Sequence, residues 1–298
     1  MMDERQTLNL HSFSLPVNHG NFGDELSSFI VSQLLDDTKY KLVHNEGNHK
    51  VNMIGIGSAM HFTHDGWYVW GSGMMYEEFT ANQLKVYAVR GPLTRKYLLE
   101  KGIECGDVCG DPALLLPQFY EPEIDVDLKE KVGVVVHHSR YDSYESSPLN
   151  ENQFHLINPT AQWKEVINQI ASCKTIVASA LHGLICADAY GIPNVWLNEY
   201  LWECHMCKST KSSAQLTDSD LESSRPPCDC GWVYFECGKK LPSHDGNMKF
   251  KDYFMSQNRP YHSIDSLNAY DDNEVYRDGN KVNLDILKNS FPFLRTAA

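Results

Sequence analysis

Short apolar runs that end in glycine or a small polar residue, and pass at once into a loop or a helical pattern, restrict the fold of this chain more than any other feature. Val51 to Ile56 closes on Gly57-Ser58, Trp67 to Trp70 on Gly71-Ser72-Gly73, and Thr175 to Ala178 on Ser179-Ala180 ahead of a helix expected from Leu181 to Tyr190. Such runs lack a polar face, so they suit strands buried on both sides, and their alternation with helices points to mostly parallel sheets covered by helices. Further strands are expected at Leu8 to Leu15, Val86 to Val89, Val132 to Val136, Phe154 to Ile157 and Asn194 to Leu197. Helices are expected from Asp24, as cap, to about Leu35, from Pro92 through Leu99 to a stop at Gly102, and from about Ala161 to Ser172.

The 298 residues suffice for two domains of ordinary size. Pro122 and a run of acids break the apolar pattern between Gln118 and Lys131, which places a first α/β domain at 1–120 and a second at 121–298. Two such units imply a cleft between them. The segment from about 200 to 247 is rich in Ser, Cys and Pro and reads as an inserted loop region; beyond it, Lys249 to Ser256 and Val282 to Ser290 read as helices, the last one expected to pack back on the first domain. Cys204-x-x-Cys207 followed by Cys228-x-Cys230 approaches the spacing of a structural zinc site, with reduced thiols and a disulfide as the other readings. Cys173 and Cys186 fall in apolar patterns and read as small core residues.

A net charge of -13 argues against nonspecific nucleic-acid binding, which depends on a basic surface. No apolar run approaches the roughly 20 residues that span a bilayer, and Met1-Met2-Asp3-Glu4-Arg5-Gln6 has neither the basic start nor the apolar core of a secretory signal. A cytoplasmic enzyme is the expectation, with peripheral contact at a membrane left open.

The turns Gly20-Asn21-Phe22-Gly23-Asp24 and Ser179-Ala180-Leu181-His182-Gly183-Leu184 are where an α/β protein binds anions, on free N–H groups at helix N-termini. His182 there could exchange a proton near neutral pH, or simply cap the turn. Asp24 is a cap, a site residue or both. Arg90 ends a strand and suits a carboxylate or phosphate, or a salt bridge with a neighbouring acid. Asp111 is a turn former or a cleft carboxylate. His137, His138 and Arg140 follow Val132 to Val136, and since adjacent residues face opposite ways, one histidine at most faces a ligand.

Taken in order, Asn21-Phe22-Gly23-Asp24, Gly57-Ser58, Trp70-Gly71-Ser72-Gly73, Val89-Arg90-Gly91-Pro92-Leu93-Thr94, Gly110-Asp111-Pro112-Ala113-Leu114-Leu115 and Ser179-Ala180-Leu181-His182-Gly183-Leu184-Ile185 resemble the polysaccharide pyruvyltransferase family. The chain is most similar to its bacterial exopolysaccharide ketal-pyruvyltransferases, from about Pro16 to Leu197. The resemblance implies two Rossmann-like domains facing a GT-B-like cleft, and transfer of pyruvate from phosphoenolpyruvate to two sugar hydroxyls as a cyclic ketal, with release of phosphate and no required cofactor. It implies His182 as the acid and Asp24 or Asp111 as the base. Arg90 would hold the donor, among substrate-binding positions at Asn21, Gly23, Ser58, Gly71, Ser72, Gly73, His137, Arg140, Ser179, Leu181, Gly183 and Lys249. The partner would be a saccharide, free or lipid-linked. Many members carry Arg where this chain has Ala180, so either His137, Arg140 or Lys249 supplies the missing cation or the donor is held mainly by Arg90. The competing readings are a GT-B glycosyltransferase using a nucleotide sugar and a non-catalytic glycan-binding protein.

Overall fold

In a computed structural model the described residues are 4–12, 20–47, 49–75, 79–198, 201–204, 210–212, 234–237 and 248–295. Two five-stranded sheets, each parallel throughout, dominate the fold. The first holds β1 (Gln6–His11), β2 (Tyr40–His44), β3 (Val51–Ile54), β4 (Tyr68–Trp70) and β5 (Lys85–Ala88) in the order β2-β1-β3-β4-β5. The second holds β6 (Val132–Val135), β7 (Phe154–Leu156), β8 (Thr175–Ala178), β9 (Asn194–Leu197) and β13 (Ser263–Ile264), ordered β13-β9-β8-β6-β7.

Read from its β7 edge, the second sheet repeats the order of the first: the second strand in sequence, then the first, third, fourth and fifth. Strand order in each therefore reverses once, between β1 and β3 and between β6 and β8. In doubly wound sheets the ligand crevice opens at such a reversal, outside the carboxyl ends of the strands. The helices that follow β1 and β8, α1 (Phe22–Leu34) and α5 (Leu181–Ala189), begin at these two points.

Helix α1 begins three residues ahead of the expected start. Asn21 occupies the N-cap and Phe22 is buried in the core, so Asp24 lies within the first turn and is not the cap. Leu26, Ile30 and Leu34 form the buried face as the periodicity requires. Helix α2 (Pro92–Glu100) has Pro in its first turn, and Gly102 beyond it adopts φ +76°, where a β-carbon would be strained. The short helix α3 (Tyr141–Glu145) and the helix α4 (Trp163–Ser172) complete the elements between β6 and β8. Cys173 and Cys186 are buried thiols, as their apolar setting suggested.

The 200–247 segment contains more order than its composition indicated. β10 (Leu201–Cys204), β11 (Thr210–Ser212) and β12 (Tyr234–Cys237) form an antiparallel sheet. Strands of three or four residues give too few positions for a periodicity to register. Of the zinc-spaced cysteines, Cys204 ends β10, whereas Cys207, Cys228 and Cys230 lie outside the described residues.

Two segments from the far end of the chain complete the structure. Helix α6 (Met248–Ser256) stacks Phe250 on Trp196 of β9 with ring centroids 4.5 Å apart. Helix α7 (Leu284–Asn289) packs on the first sheet, where the Trp70 indole donates to Leu287 O and Ser290 Oγ, each at 3.1 Å, and its ring meets Phe291. Among the described residues no helix is long and apolar enough to cross a membrane.

A buried polar knot ties α5, β9 and α6 together. Asp188 accepts from Tyr253 Oη at 2.6 Å, Arg259 Nη1 at 3.1 Å and Asn194 Nδ2 at 2.7 Å, and the Arg259 guanidinium lies between the Phe254 and Tyr276 rings. Removing one member of a buried ion pair strands the other charge. Asp188→Ala is therefore expected to lose about 3–5 kcal/mol in urea unfolding; a loss below about 1 kcal/mol would show that the knot is solvated.

Candidate active site

Asp24 enters from the first turn of α1, one turn into the switch point of the first sheet. Asn21 Nδ2 donates to its Oδ2, and the glycine at 57 leaves room for its Oδ1, since a β-carbon there would lie 2.5 Å away. Gly57 itself has φ +102°, so both the space and the backbone conformation call for glycine. Asp24 is buried, and its pKa rises from 3.8 to about 7. Burial is the largest cause and the nearby Asp111 carboxylate adds to it, while Lys249 and the Asn21 amide oppose them.

Asp111 is the turn former that its sequence context allowed. Its Oδ1 accepts from the Ala113 N–H at 3.0 Å and caps the 3₁₀ turn Pro112–Gln118, while its Oδ2 has no hydrogen-bond partner among the described residues. Burial lifts its pKa to about 6, against the pull of the Ala113 and Gly57 N–H groups and Arg90. Opposite it stands His182 at the start of α5, with Nε2 3.9 Å from Asp111 Oδ2 and likewise without a hydrogen-bond partner among the described residues. That separation exceeds hydrogen-bond range, so neither atom satisfies the other. The His182 ring lies against Gly23, where a β-carbon would fall 2.0 Å from Nδ1. Burial, then the Arg90 and Lys249 charges, pushes the imidazole down to about 3, so the ring is neutral at physiological pH.

The two shifts run in opposite directions, up for the Asp24 carboxyl and down for the His182 imidazole. Near neutral pH the Asp24 carboxyl is held in part in its protonated form, whereas the His182 imidazole is uncharged. A histidine on a helix N-terminus is recognisable in sequence as a proton carrier, but its direction of transfer depends on the burial and charges gathered around it.

The other expected site residues divide by what they touch. Arg90 is fully buried, forms the ion pair with an acid that was its alternative reading, and faces Asp252 Oδ2 at 3.4 Å. Ser72 is spent on the frame: its hydroxyl donates to Gly57 O at 2.9 Å and accepts from the Ala59 N–H at 3.2 Å, joining the ends of β3 and β4. Gly71 admits Pro112, Gly73 admits the Arg90 guanidinium, and Gly183 lets α5 approach Ala178 and Val135; at each of these glycines a β-carbon would collide. Leu181 is a core side chain. Ser179 Oγ accepts from the His137 N–H at 3.1 Å and braces the switch point of the second sheet. The His137 ring bonds locally to Ser139 Oγ, and Arg140 is exposed on the following turn. Lys249, on α6, is buried and acts electrostatically on both Asp24 and His182.

Asp252 was not singled out in the sequence. It accepts from the N–H groups of Leu93 and Thr94 and from Thr94 Oγ1, and so caps α2 from another element, since the N-cap position holds Gly91. A chain-distant cap leaves no local signature.

Comparison with known proteins identifies the class. Residues 23–199 match the family described as polysaccharide pyruvyl transferase, more than half of the chain, and the protein belongs to that family. It is 27% identical over 187 residues to the succinoglycan biosynthesis protein ExoV of Rhizobium meliloti, covering 59% of this chain and 55% of that one. It is also 25% identical over 198 residues to the uncharacterized protein L143 of Acanthamoeba polyphaga mimivirus, covering 65% of this chain and 68% of that protein. The chain thus spans about two thirds of one relative and about half of the other.

Proposed function

We propose that the protein transfers pyruvate from phosphoenolpyruvate to two hydroxyls of a saccharide, forming a cyclic ketal and releasing phosphate. The observation that carries this reading is a buried carboxyl poised near neutrality, Asp24, under the influence of the buried Lys249 charge and next in sequence to Gly23, against which the uncharged His182 ring lies. Protonating an enol carbon calls for such an acid, and the anionic donor calls for such a cation. The two sheets would then face each other across a GT-B-like cleft with the donor between the starts of α1 and α5.

In this mechanism the Asp24 carboxyl gives its proton to the methylene carbon of the donor, and a positively charged centre develops at the adjacent carbon. One sugar hydroxyl attacks that carbon and passes its proton to His182 Nε2. The bond to phosphate breaks, the second hydroxyl closes the ring, and its proton returns Asp24 to the acid form. The proton held on His182 leaves with phosphate, so the proton count closes. Lys249 supplies the positive charge that Ala180 does not, and Asp111 stabilises the imidazolium as it forms.

Incubation with phosphoenolpyruvate and a panel of galactosides, glucosides and N-acetylmannosamine derivatives, soluble and lipid-linked, is expected to release phosphate only when a suitable acceptor is present. The product should carry a ketal methyl signal by NMR. Transfer from a nucleotide sugar with no phosphate released from phosphoenolpyruvate would replace the proposed reaction with glycosyl transfer.

A further inference from the structure

The Arg90 guanidinium has no exposed surface, so its charge must reach a substrate through another group. Its Nη2 donates to Met74 O at 2.8 Å and faces Asp252, while the backbone of Gly73 lies against its flat side. Its Nη1 donates to Ser58 Oγ at 2.6 Å. Ser58 is partly exposed and directly follows Gly57, the residue against which the Asp24 carboxylate packs.

We infer that Ser58, oriented by an Asp252–Arg90 relay, is the donor that meets the anionic part of the substrate, and that Asp252 is a positioning residue. A serine hydroxyl has one proton and two acceptor sites. Arg90 occupies an acceptor site, so the proton points elsewhere, and among the described residues no acceptor takes it. A bond from a charged donor also polarises the hydroxyl and strengthens it as a donor in turn. Arg90 can point at Ser58 only because its other end is held. Asp252 Oδ2 faces Nη2, and Thr94 Oγ1 bonds both Asp252 at 2.6 Å and the Met74 N–H at 3.1 Å, which closes the ring around the guanidinium. Every member of that ring is buried. The inference rests on the proposed reaction only for the identity of the anion.

Two variants separate relay from architecture. Ser58→Ala removes the donor and leaves Arg90 and α2 in place. Asp252→Asn keeps an oxygen for the Leu93 and Thr94 N–H groups, preserving the cap, but turns an amide toward Arg90 in place of a carboxylate. Each full-length protein is titrated with inorganic phosphate and with phosphoenolpyruvate by calorimetry, and melted in parallel. Ser58→Ala should bind both anions at least about tenfold more weakly, the size expected for one hydrogen bond to a charged group, with an unchanged melt. Asp252→Asn should weaken binding similarly; a purely capping role predicts wild-type affinity. If Asp252→Asn does not fold, Ser58→Ala decides the matter alone. Equal affinity in Ser58→Ala and wild type overturns the assignment, as does a wild type that binds neither anion. Wild-type binding of phosphate without phosphoenolpyruvate would strike the proposed donor and leave Ser58 to be judged on phosphate.

Discussion

Asp24→Asn is expected to abolish transfer while raising stability at alkaline pH. The carboxyl is buried, with a pKa of about 7 instead of 3.8, and each pKa unit corresponds to about 1.36 kcal/mol between the two protonation states. A raised acid pKa means that the folded protein holds a proton the unfolded chain has released. The stability associated with Asp24 is therefore fully present below pH 3.8 and is lost as pH rises through about 7. The amide cannot ionise and escapes that loss. Chemical unfolding should show little difference near pH 4 and a gain of about 1–3 kcal/mol at pH 8. Turnover should fall to background, because the amide has no proton to give. In the wild type the same ionisation predicts a rate that declines as pH rises through about 7. An Asp24→Asn variant that remains active would transfer the acid role to another group.

Replacing His182 by Ala should lower kcat by about 10²-fold or more, the range of a general acid–base group. The imidazole pKa is depressed to about 3, so the folded protein binds fewer protons than the unfolded chain between that value and 6.5. Its contribution to stability is present above pH 6.5 and is lost as pH falls through about 3; the Ala variant should be less acid-sensitive across that window. Gly23→Ala offers a second route to the same residue, because its β-carbon would fall 2.0 Å from His182 Nδ1 and must displace the ring. It should lower kcat in parallel with His182→Ala while leaving the imidazole in the protein. Steady-state rates near wild type in both variants would remove His182 from proton transfer.

How much of this was legible in the sequence differs from element to element. β8 and β9 lie at the expected residues, because four apolar residues bounded by turn signals leave a buried strand few alternatives. Helix α2 was readable from its Pro start and Gly stop. Edge strand β2 was not, since Tyr40–His44 is only half-buried and mixes polar with apolar residues on both faces. Asp24, Asp111 and His182 were each recognisable as polar residues at strand-to-helix turns. Asp252 was not, because its partners Arg90, Leu93 and Thr94 belong to a distant part of the chain.

By itself, the sequence determined the parallel α/β architecture, the two strand-to-helix turns at Gly20 to Asp24 and Ser179 to Leu184, and the resemblance that names the family. These depend on local apolar runs and on the residue types at their ends. The tertiary structure alone decided that Arg90 is sealed behind Ser58, that Asp252 caps α2, and that Asp24 rather than His182 keeps its proton near pH 7. Those properties follow from burial and from charges brought together across the chain, and no local pattern encodes the environment that sets them.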